Sequence, residues 1–577
     1  MATTTTARKS KNVRNEEQEE EEQQQEEEQQ ENEQETLDQN QQRQVKQRQQ
    51  QQEDQQDKQQ SQQQDEKNGP RNNEEMDALN EYKIQASQQN EMEEQPLQPP
   101  NTSISHQQSE DDVLKEARHF RINTMKHLIA SLAEDPFDTW IYHQRNFGEL
   151  GITPSLLKAG IVNLGSSKPV QQAVRKAVRG ENVKLLVVGG SISAGGGLWK
   201  DRGNVDGVYH RALAHWWKRT VTPVTNSKLD VNNVAIGGTD SEYFSYCINN
   251  FLEDNPDIVL WELSANDYNR FNERNFDPSK PLEQLTRIIL QLPSHPALIY
   301  VNFFRGDKQN FQLGEKCPDS EETEVDILSR YYDIPSLSWR RMVCNLITKR
   351  TFVNQELFSD DGYHPNLLGH AQVAMLLMMY IKGVFESVLA NDLDNMKRFD
   401  ILDDHKADFQ DAFQLKIPAF KDPLNPKPSC WTLLTPDYTK VFKNTLNEVN
   451  VLKGYGFELR NLTAWGVRTD RIQCLLATKP GAELDLSLSV PVLDDDRNLP
   501  LADAQTRILA IATHNKFGGA AEIQLDDLPS KTSLSNGTGK LKQNRVYIVS
   551  EDVRPGVHNL RFRSLSSGFC LTSIMVI

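Results

Sequence analysis

Strand-like and helix-like segments alternate along residues 184–385, and this alternation limits the possible folds more than any other feature of the chain. Short runs of apolar and β-branched residues predict strands, and apolar residues spaced three and four apart predict helices. Alternation of this kind is typical of a parallel sheet with helices on both faces. The predicted strands are 184–188, 229–236, 258–263 and 297–304, and the predicted helices are 207–219, 241–252, 282–292, 321–331, 338–348 and 367–385.

The two flanks of this region differ from it in composition. Of the first hundred residues 28 are Gln and 20 are Glu, and Tyr82 is the only aromatic residue. Such a segment has too little apolar surface to offset the entropy of ordering, so residues 1–110 are predicted to be a disordered tail. Beyond residue 400, clustered prolines predict a linker, and short strand-like runs separated by turn residues predict a β-sandwich.

These features divide the chain into five predicted segments. Residues 111–180 begin with an amphipathic helix at 112–134, which is expected to dock on the region that follows. The segments are a Gln/Glu-rich tail (1–110), a helical extension (111–180), an α/β domain (181–400), a linker (401–430) and a β-sandwich (431–577).

Charge and sorting signals exclude some functions and leave the compartment open. The tail has 26 acidic against 11 basic residues and so carries −15 of the total net charge of −18. The rest of the chain is nearly neutral, which argues against a nucleic-acid partner. No signal peptide is recognised, because the first residues lack an apolar core. No membrane-spanning run is recognised either, because the richest apolar stretch, at 371–385, contains Lys382 and fits a buried helix better. The localisation is cytoplasmic by default, with the secretory pathway as an alternative.

The cysteines are scattered along the chain without a Cys-x-x-Cys pair, at positions 247, 317, 344, 430, 474 and 570. This spacing argues against a metal cluster or a redox motif, and no metal or cofactor is expected. It favours free thiols in the core over disulfide bonds.

A serine follows the first strand of the predicted sheet. Gly189-Gly190-Ser191 come directly after a buried apolar run, at the strand end where α/β proteins bind ligands. A sharp turn into a helix would expose the hydroxyl and direct backbone N–H groups toward a reaction centre. The segment lacks the spacing of phosphate-binding and dinucleotide-binding loops and the flanking glycines of a nucleophile elbow. Taken alone, an ordinary turn remains an alternative.

Two further strand ends carry candidate oxyanion donors. Gly237 and Gly238 follow the second predicted strand, and glycine allows a backbone N–H to approach a ligand closely. Asn266 follows the third strand, where its amide can donate to an oxyanion or cap a turn. Its neighbour Asp267 is expected to accept backbone N–H groups rather than to act as a catalytic acid.

An aspartate and a histidine lie three residues apart in the segment Asp361-Gly-Tyr-His364-Pro. One tight turn can bring the carboxylate to Nδ1 of the imidazole and leave Nε2 free to accept a proton from a serine hydroxyl. A surface turn without catalytic function is the alternative. His370, inside the following helix, is expected to be a packing residue.

Together these four segments resemble the blocks of the SGNH hydrolase superfamily of GDSL-type esterases, which contribute Ser, Gly, Asn and His in this order. The resemblance covers residues 184–385 and implies a three-layer α/β/α fold with a flavodoxin-like parallel sheet. The roles that it implies are Ser191 as nucleophile, His364 as general base, Asp361 as the residue that orients the base, and Ser191 N–H, Gly238 N–H and the Asn266 side chain as the oxyanion hole.

The chain departs from the family pattern at one position of the first block. Gly190 stands where the Gly-Asp-Ser-Leu motif has an aspartate, which puts the geometry of this loop in question more than the reaction. Gly237 is an alternative to Gly238 as oxyanion donor.

The resemblance implies a serine esterase without a cofactor. The predicted sandwich resembles domains appended to capsule-associated and polysaccharide-modifying members, which implies an O-acylated carbohydrate as substrate and acetyl as the acyl group. A carbohydrate O-acyltransferase with the same residues and a non-catalytic glycan-binding protein are the alternatives.

Overall fold

The computed structural model describes residues 110–133, 151–198, 207–252, 255–271, 279–304, 322–348, 357–398, 415–420, 428–436, 445–446, 449–461, 473–492, 506–528, 531–535 and 544–577. Gln108–Ile577 form one compact unit. The tail predicted to be disordered lies outside the described residues apart from its last residue, and so does most of the predicted linker.

A six-stranded sheet forms the centre of the first half of this unit. Its strands are β1 (Ile161–Asn163), β2 (Val183–Gly189), β3 (Leu229–Asn233), β4 (Ile258–Glu262), β5 (Ala297–Asn302) and β6 (Ser336–Ser338). They lie in the order β1-β6-β5-β4-β2-β3, and all neighbours are parallel except β1, which pairs antiparallel with β6. Without β1, a short edge strand that the sequence analysis does not predict, this is the flavodoxin-like order. The predicted α/β fold class is confirmed.

Helices cover both faces of this sheet. They are α1 (Glu110–Ala133), α2 (Pro154–Gly160), α3 (Lys168–Val178), α4 (Tyr209–Thr220), α5 (Thr222–Thr225), α6 (Ser241–Cys247), α7 (Ser264–Phe271), α8 (Ser279–Leu290), α9 (Glu322–Tyr332), α10 (Trp339–Thr348) and α11 (Leu367–Arg398), and a 3₁₀ turn follows α6 at Ile248–Asn250. Leu185 and Val187 of β2 point into the apolar core on one face, and Leu186 and Val188 point into the core on the other. A strand buried on both faces explains the uninterrupted apolar run in its sequence.

Helix α11 is the longest element and lies within the core. Its segment Leu367–Asn395 is long and apolar enough to cross a membrane by composition alone, but 67% of its most apolar window is buried inside the protein. The core helix of a folded domain passes the same test of hydropathy. The packing of α11 against α3 and α4 therefore accounts for its apolar character.

Two antiparallel sheets form the second half of the unit. Their strands are β7 (Ser429–Thr432), β8 (Asn450–Tyr455), β9 (Phe457–Asn461), β10 (Gln473–Ala477), β11 (Glu483–Val490), β12 (Arg507–His514), β13 (Ala520–Leu525), β14 (Lys531–Ser535), β15 (Asn544–Val553), β16 (Gly556–Ser564) and β17 (Cys570–Val576). One sheet has the order β15-β12-β17-β10-β9 with β7 paired to β17, and the other has the order β14-β13-β16-β11-β8. Apolar side chains of the two sheets share one core, so the predicted β-sandwich is confirmed.

The sandwich packs directly on the α/β domain. Ala512 and Val546, on strands of the first sheet, belong to the same buried apolar cluster as Val234, Ile236 and helix α6. An apolar core that continues across the boundary holds the two domains in a defined orientation, because separation would expose it to water.

Disulfide bonds contradict the expectation of free thiols. Cys247 at the end of α6 is bonded to Cys430 of β7, and Cys474 of β10 is bonded to Cys570 of β17. Cys344 is also in a disulfide bond, and none of the cysteines within the described residues is free. The spacing of the cysteines was misleading because each described pair joins elements that are distant in sequence and meet only in the folded protein.

Candidate active site

Ser191 lies on a tight turn at the carboxyl end of β2. Within this turn Ala194 N–H donates to Gly190 O at 3.1 Å and Gly196 N–H donates to Ser191 O at 2.7 Å. The predicted helix after Ser191 is wrong, because the described chain after it forms consecutive turns. Gly195 and Gly197 have positive φ angles of 92° and 89°, a conformation that does not continue a right-handed helix.

The structure brings Ser191, His364 and Asp361 together in one chain of hydrogen bonds. Ser191 Oγ lies 2.7 Å from His364 Nε2, and His364 Nδ1 lies 2.6 Å from Asp361 Oδ2. The serine and histidine side chains are almost buried, with 9% and 7% of their residue surfaces exposed. The hydroxyl can therefore donate to one ring nitrogen while the other donates to the carboxylate.

Asp361 is held in its ionised form by its surroundings. Burial favours the neutral acid, but the hydrogen bond and charge interaction with His364 outweigh it, and together with the backbone N–H groups of His364 and Tyr363 they hold the pKa well below its usual range. These two N–H groups donate to Oδ1 at 3.0 Å and 2.8 Å. The other oxygen, Oδ2, is thus available to the imidazole.

Gly196 gives the imidazole its space. A Cβ at this position would lie 2.7 Å from His364 Cδ2 and 2.8 Å from the backbone oxygen of Ser191. A larger residue would displace the ring from the serine, so the close approach of the two segments requires glycine here.

The candidate oxyanion donors lie around Ser191 at the ends of β2, β3 and β4. Among the described residues, no hydrogen-bond acceptor is found for the backbone N–H groups of Ser191 and Gly238. Asn266 Nδ2 donates one hydrogen to Thr239 O, which leaves its second hydrogen for another acceptor. Gly238 has a φ of 73°, whereas Gly237 lies outside this left-handed region.

The presence of glycine at position 190 has a steric cause. A Cβ at Gly190 would lie 2.3 Å from Asn266 Nδ2. Any side chain at this position would collide with the amide of Asn266, which is held by Thr239. The conformation of this loop therefore requires glycine at position 190.

A buried carboxyl group that the sequence analysis missed stabilises the turn after β2 through hydrogen bonds. Glu262, the last residue of β4, accepts hydrogen bonds from Ser193 N–H at 3.1 Å and Ser193 Oγ at 2.8 Å, and Ser193 Oγ lies 2.8 Å from Tyr209 Oη. Burial raises the pKa of Glu262 to about 8, although the Ser193 hydrogen bonds lower it. The sequence signal that could have identified Glu262 is its position as a charged residue at the end of an apolar strand. Such residues are rarely buried without a hydrogen-bond or ion-pair partner.

The remaining residues named from sequence lie around this centre. Asp267 accepts Ser241 N–H and Ser241 Oγ at 2.8 Å and 2.7 Å. His370 is fully buried, stacks on Tyr209 and has a pKa lowered to about 3, chiefly by burial. Neither side chain is part of the hydrogen-bond chain from Ser191 to Asp361.

A cleft of about 450 Å³ lies between α4 and the edge strand β3. Neither the serine nor the histidine of the hydrogen-bond chain lines it. It meets the turn only indirectly, since two of its lining residues, His210 and Asn233, contact the backbone oxygen of Ser193 at 3.0 Å and 2.9 Å.

Comparisons with known proteins give structural similarities only. No family model and no curated protein matches the chain. A two-domain esterase active on acetylated mannans is 18% identical with a TM-score of 0.49, over 73% of this chain and 97% of that one. The esterase EstA from Pseudoalteromonas sp. is 16% identical with a TM-score of 0.23, over 37% and 100%, and TesA is 19% identical with a TM-score of 0.26, over 35% and 99%. The chemistry is argued from this chain's own residues.

Proposed function

We propose that this chain, which has an SGNH hydrolase-like fold, is a serine ester hydrolase. The reaction that we propose is the removal of acyl groups, chiefly acetyl groups, from a carbohydrate. The observation that carries the proposal is the continuous chain of hydrogen bonds from Ser191 Oγ through His364 to Asp361. A hydroxyl paired with an imidazole, which is oriented by a carboxylate, is the arrangement that activates serine as a nucleophile.

In the first half-reaction Ser191 Oγ attacks the carbonyl carbon of the ester. His364 Nε2 takes the hydroxyl proton as the new C–O bond forms and then gives it to the leaving sugar oxygen. Asp361, which stays ionised because its pKa is lowered, stabilises the imidazolium form of His364. In the second half-reaction water, deprotonated by the same nitrogen, attacks the acyl-serine and releases the acid.

The developing negative charge on the carbonyl oxygen is stabilised by hydrogen-bond donors. The N–H groups of Ser191 and Gly238 and the second amide hydrogen of Asn266 are the proposed donors. Each is held before the substrate arrives, and loss of one such donor typically slows catalysis by about 10² to 10³. Asn266 receives its orientation from Thr239, whose carbonyl oxygen accepts its other hydrogen.

The carbohydrate part of the proposal rests on the resemblance of the sandwich to domains of polysaccharide-modifying enzymes. The β-sandwich shares an apolar core with the α/β domain, and its Asn544 N–H donates to the carbonyl oxygen of Gly238, whose neighbour Gly237 lies beside Ser191. A polymeric substrate that reaches Ser191 therefore passes close to the second domain.

Hydrolysis of 4-nitrophenyl acetate by the full chain tests the esterase proposal. Ser191→Ala is expected to abolish turnover and labelling by a fluorophosphonate, because both need the serine oxygen. Ser193→Ala is the matched control, since Ser193 lies on the same turn but its hydroxyl contacts Glu262 rather than His364. Full activity of Ser191→Ala, or an inert and unlabelled wild type, would contradict the proposal.

Acetylated and deacetylated oligosaccharides test the substrate and the direction of transfer. Acetate released into water from an acetylated glycan supports hydrolysis. Transfer of the acetyl group to an added sugar in preference to water would instead assign the chain as an acyltransferase, because both reactions share the acyl-serine.

A further inference from the structure

The sandwich domain reaches the candidate oxyanion hole with its backbone. Asn544, the first residue of β15, donates its backbone N–H to the carbonyl oxygen of Gly238 at 2.9 Å. Its side-chain amide is buried without a hydrogen-bond partner among the described residues. The link from Asn544 to this loop therefore consists of the backbone N–H.

The loop between β3 and α6 is held from two directions. From within the α/β domain, Asn266 donates to Thr239 O and Asp267 accepts Ser241 N–H at 2.8 Å. From the sandwich, Asn544 holds Gly238 itself. Glycine has the largest conformational freedom of any residue, so Gly238 is the point of the loop at which an external restraint has most effect.

The restraint is rigid because the interface around it is rigid. Tyr243 Oη on α6 lies 2.9 Å from Thr432 Oγ1 of β7, and Asn250 donates to Cys430 O at 2.9 Å. The Cys247–Cys430 disulfide joins the same two elements covalently. Asn544 thus cannot move away from Gly238 without disrupting an apolar core.

We propose that Asn544 is a positioning residue of the oxyanion hole and that the sandwich is a structural part of the esterase site. Its N–H fixes the peptide plane on one side of Gly238 and thereby limits rotation of the Gly238 N–H, the proposed donor. This inference rests on the proposed function and deepens it. Its consequence is that the sandwich contributes to turnover of a small ester that needs no glycan contact.

Comparison of Asn544→Pro with Asn544→Ala tests this role. Both lack the side-chain amide, but only proline lacks the N–H, and proline is tolerated at the first residue of a strand. We expect kcat for 4-nitrophenyl acetate to be about 10- to 100-fold lower in the proline variant than in the alanine variant. This loss is smaller than the loss of rate expected when an oxyanion donor is removed altogether. KM should agree within about twofold between the two variants.

Leu486→Ala is the control for a general loss of stability in the sandwich. It opens a cavity in the core between the two sandwich sheets, away from the Gly238 loop, and should lower Tm while kcat stays at the wild-type value. Equal kcat in the folded proline and alanine variants, or an equal loss in Leu486→Ala, would overturn the inference and leave the esterase proposal intact. An inert wild type would overturn both.

Hydrogen exchange of the wild-type protein provides a test that does not require the proline variant to fold. A fluorophosphonate adduct on Ser191 places a phosphoryl oxygen among the proposed oxyanion donors. Exchange of the Asn544 amide is expected to slow on labelling, because a hydrogen bond from the Gly238 N–H to the adduct adds a further restraint to the loop that Asn544 holds. An unchanged exchange rate would contradict the coupling.

Discussion

At the scale of single residues, the absence of a side chain at Gly190 leaves space for the amide of Asn266. An aspartate at this position, as in the Gly-Asp-Ser-Leu motif, should therefore damage the site rather than improve it.

Gly190→Ala and Gly190→Asp are predicted to lower kcat for 4-nitrophenyl acetate by at least about 100-fold, because the new Cβ displaces the Asn266 amide. Gly383→Ala in α11 is the matched control, since a Cβ there meets no atom within 4 Å. The control should keep wild-type activity. A Gly190→Asp variant with wild-type activity would show that catalysis does not require the Asn266 amide at its position in the structure.

The two neighbouring glycines after β3 can be separated in the same way. Gly238 has a φ of 73°, at which alanine is strained by about 1–2 kcal/mol, whereas a Cβ on Gly237 would make only an ordinary 3.8 Å contact with Ser191. Gly238→Ala is predicted to lower kcat about 10-fold or more. Gly237→Ala should lose less than threefold, and the reverse order in steady-state kinetics would favour Gly237 as the donor.

At the scale of elements, strand β4 ends in a carboxyl group that anchors the turn after β2. Glu262 keeps its proton in the folded protein up to about pH 8, whereas the unfolded chain releases it near the ordinary pKa of 4.5. The stability that it contributes is full below pH 4.5 and is lost as the pH rises to about 8.

Glu262→Gln is predicted to flatten this pH dependence. Between pH 5 and 8 the free energy of unfolding of the wild type should fall relative to the variant by up to about 1.4 kcal/mol per pH unit. Urea denaturation at several pH values measures this difference. Glu386→Gln, at an exposed position of α11, should keep the wild-type slope, and equal slopes in all three proteins would show that Glu262 is ionised in the fold.

At the scale of the whole molecule, the two domains behave as one body because they share an apolar core, hydrogen bonds and a disulfide. The Cys247–Cys430 bond closes a loop of about 180 residues, and bonds of this kind typically contribute about 2–4 kcal/mol. It joins the helix after the Gly238 loop to the sandwich strand that packs on it.

The double variant Cys247→Ala/Cys430→Ala is predicted to unfold at a clearly lower temperature than the wild type, by about 2–4 kcal/mol in stability. In dithiothreitol the wild type should lose more stability than this, because the reductant also breaks the Cys474–Cys570 bond and the bond of Cys344, while the variant should respond less to the reductant. Calorimetry with and without dithiothreitol measures both effects. An unchanged melting temperature would mean that the apolar interface alone sets the stability.

The α/β region could be predicted from local patterns, because burial on one face of a helix imposes a period of 3.6 and burial on both faces of a strand gives an uninterrupted apolar run. Helices α4, α8 and α10 follow the helical period, and strands β2 and β4 are such apolar runs. Strands β1 and β6 escaped prediction because three residues carry too little periodicity. The helix expected after Ser191 failed because Gly195 and Gly197 take left-handed conformations that composition alone does not assign.

The sequence by itself determined most of the order of strands and helices, the two architectures and the four segments whose residues meet at the strand ends, because parallel strands bring their carboxyl ends to one edge. Tertiary structure alone decided the partners of the cysteines, the support of Ser193 by Glu262, the fit of Asn266 against Gly190 and the contact of Asn544 with Gly238. These contacts join residues that are far apart in the chain. A contact with a distant residue produces no periodic pattern in the sequence around either partner, so local patterns cannot predict it.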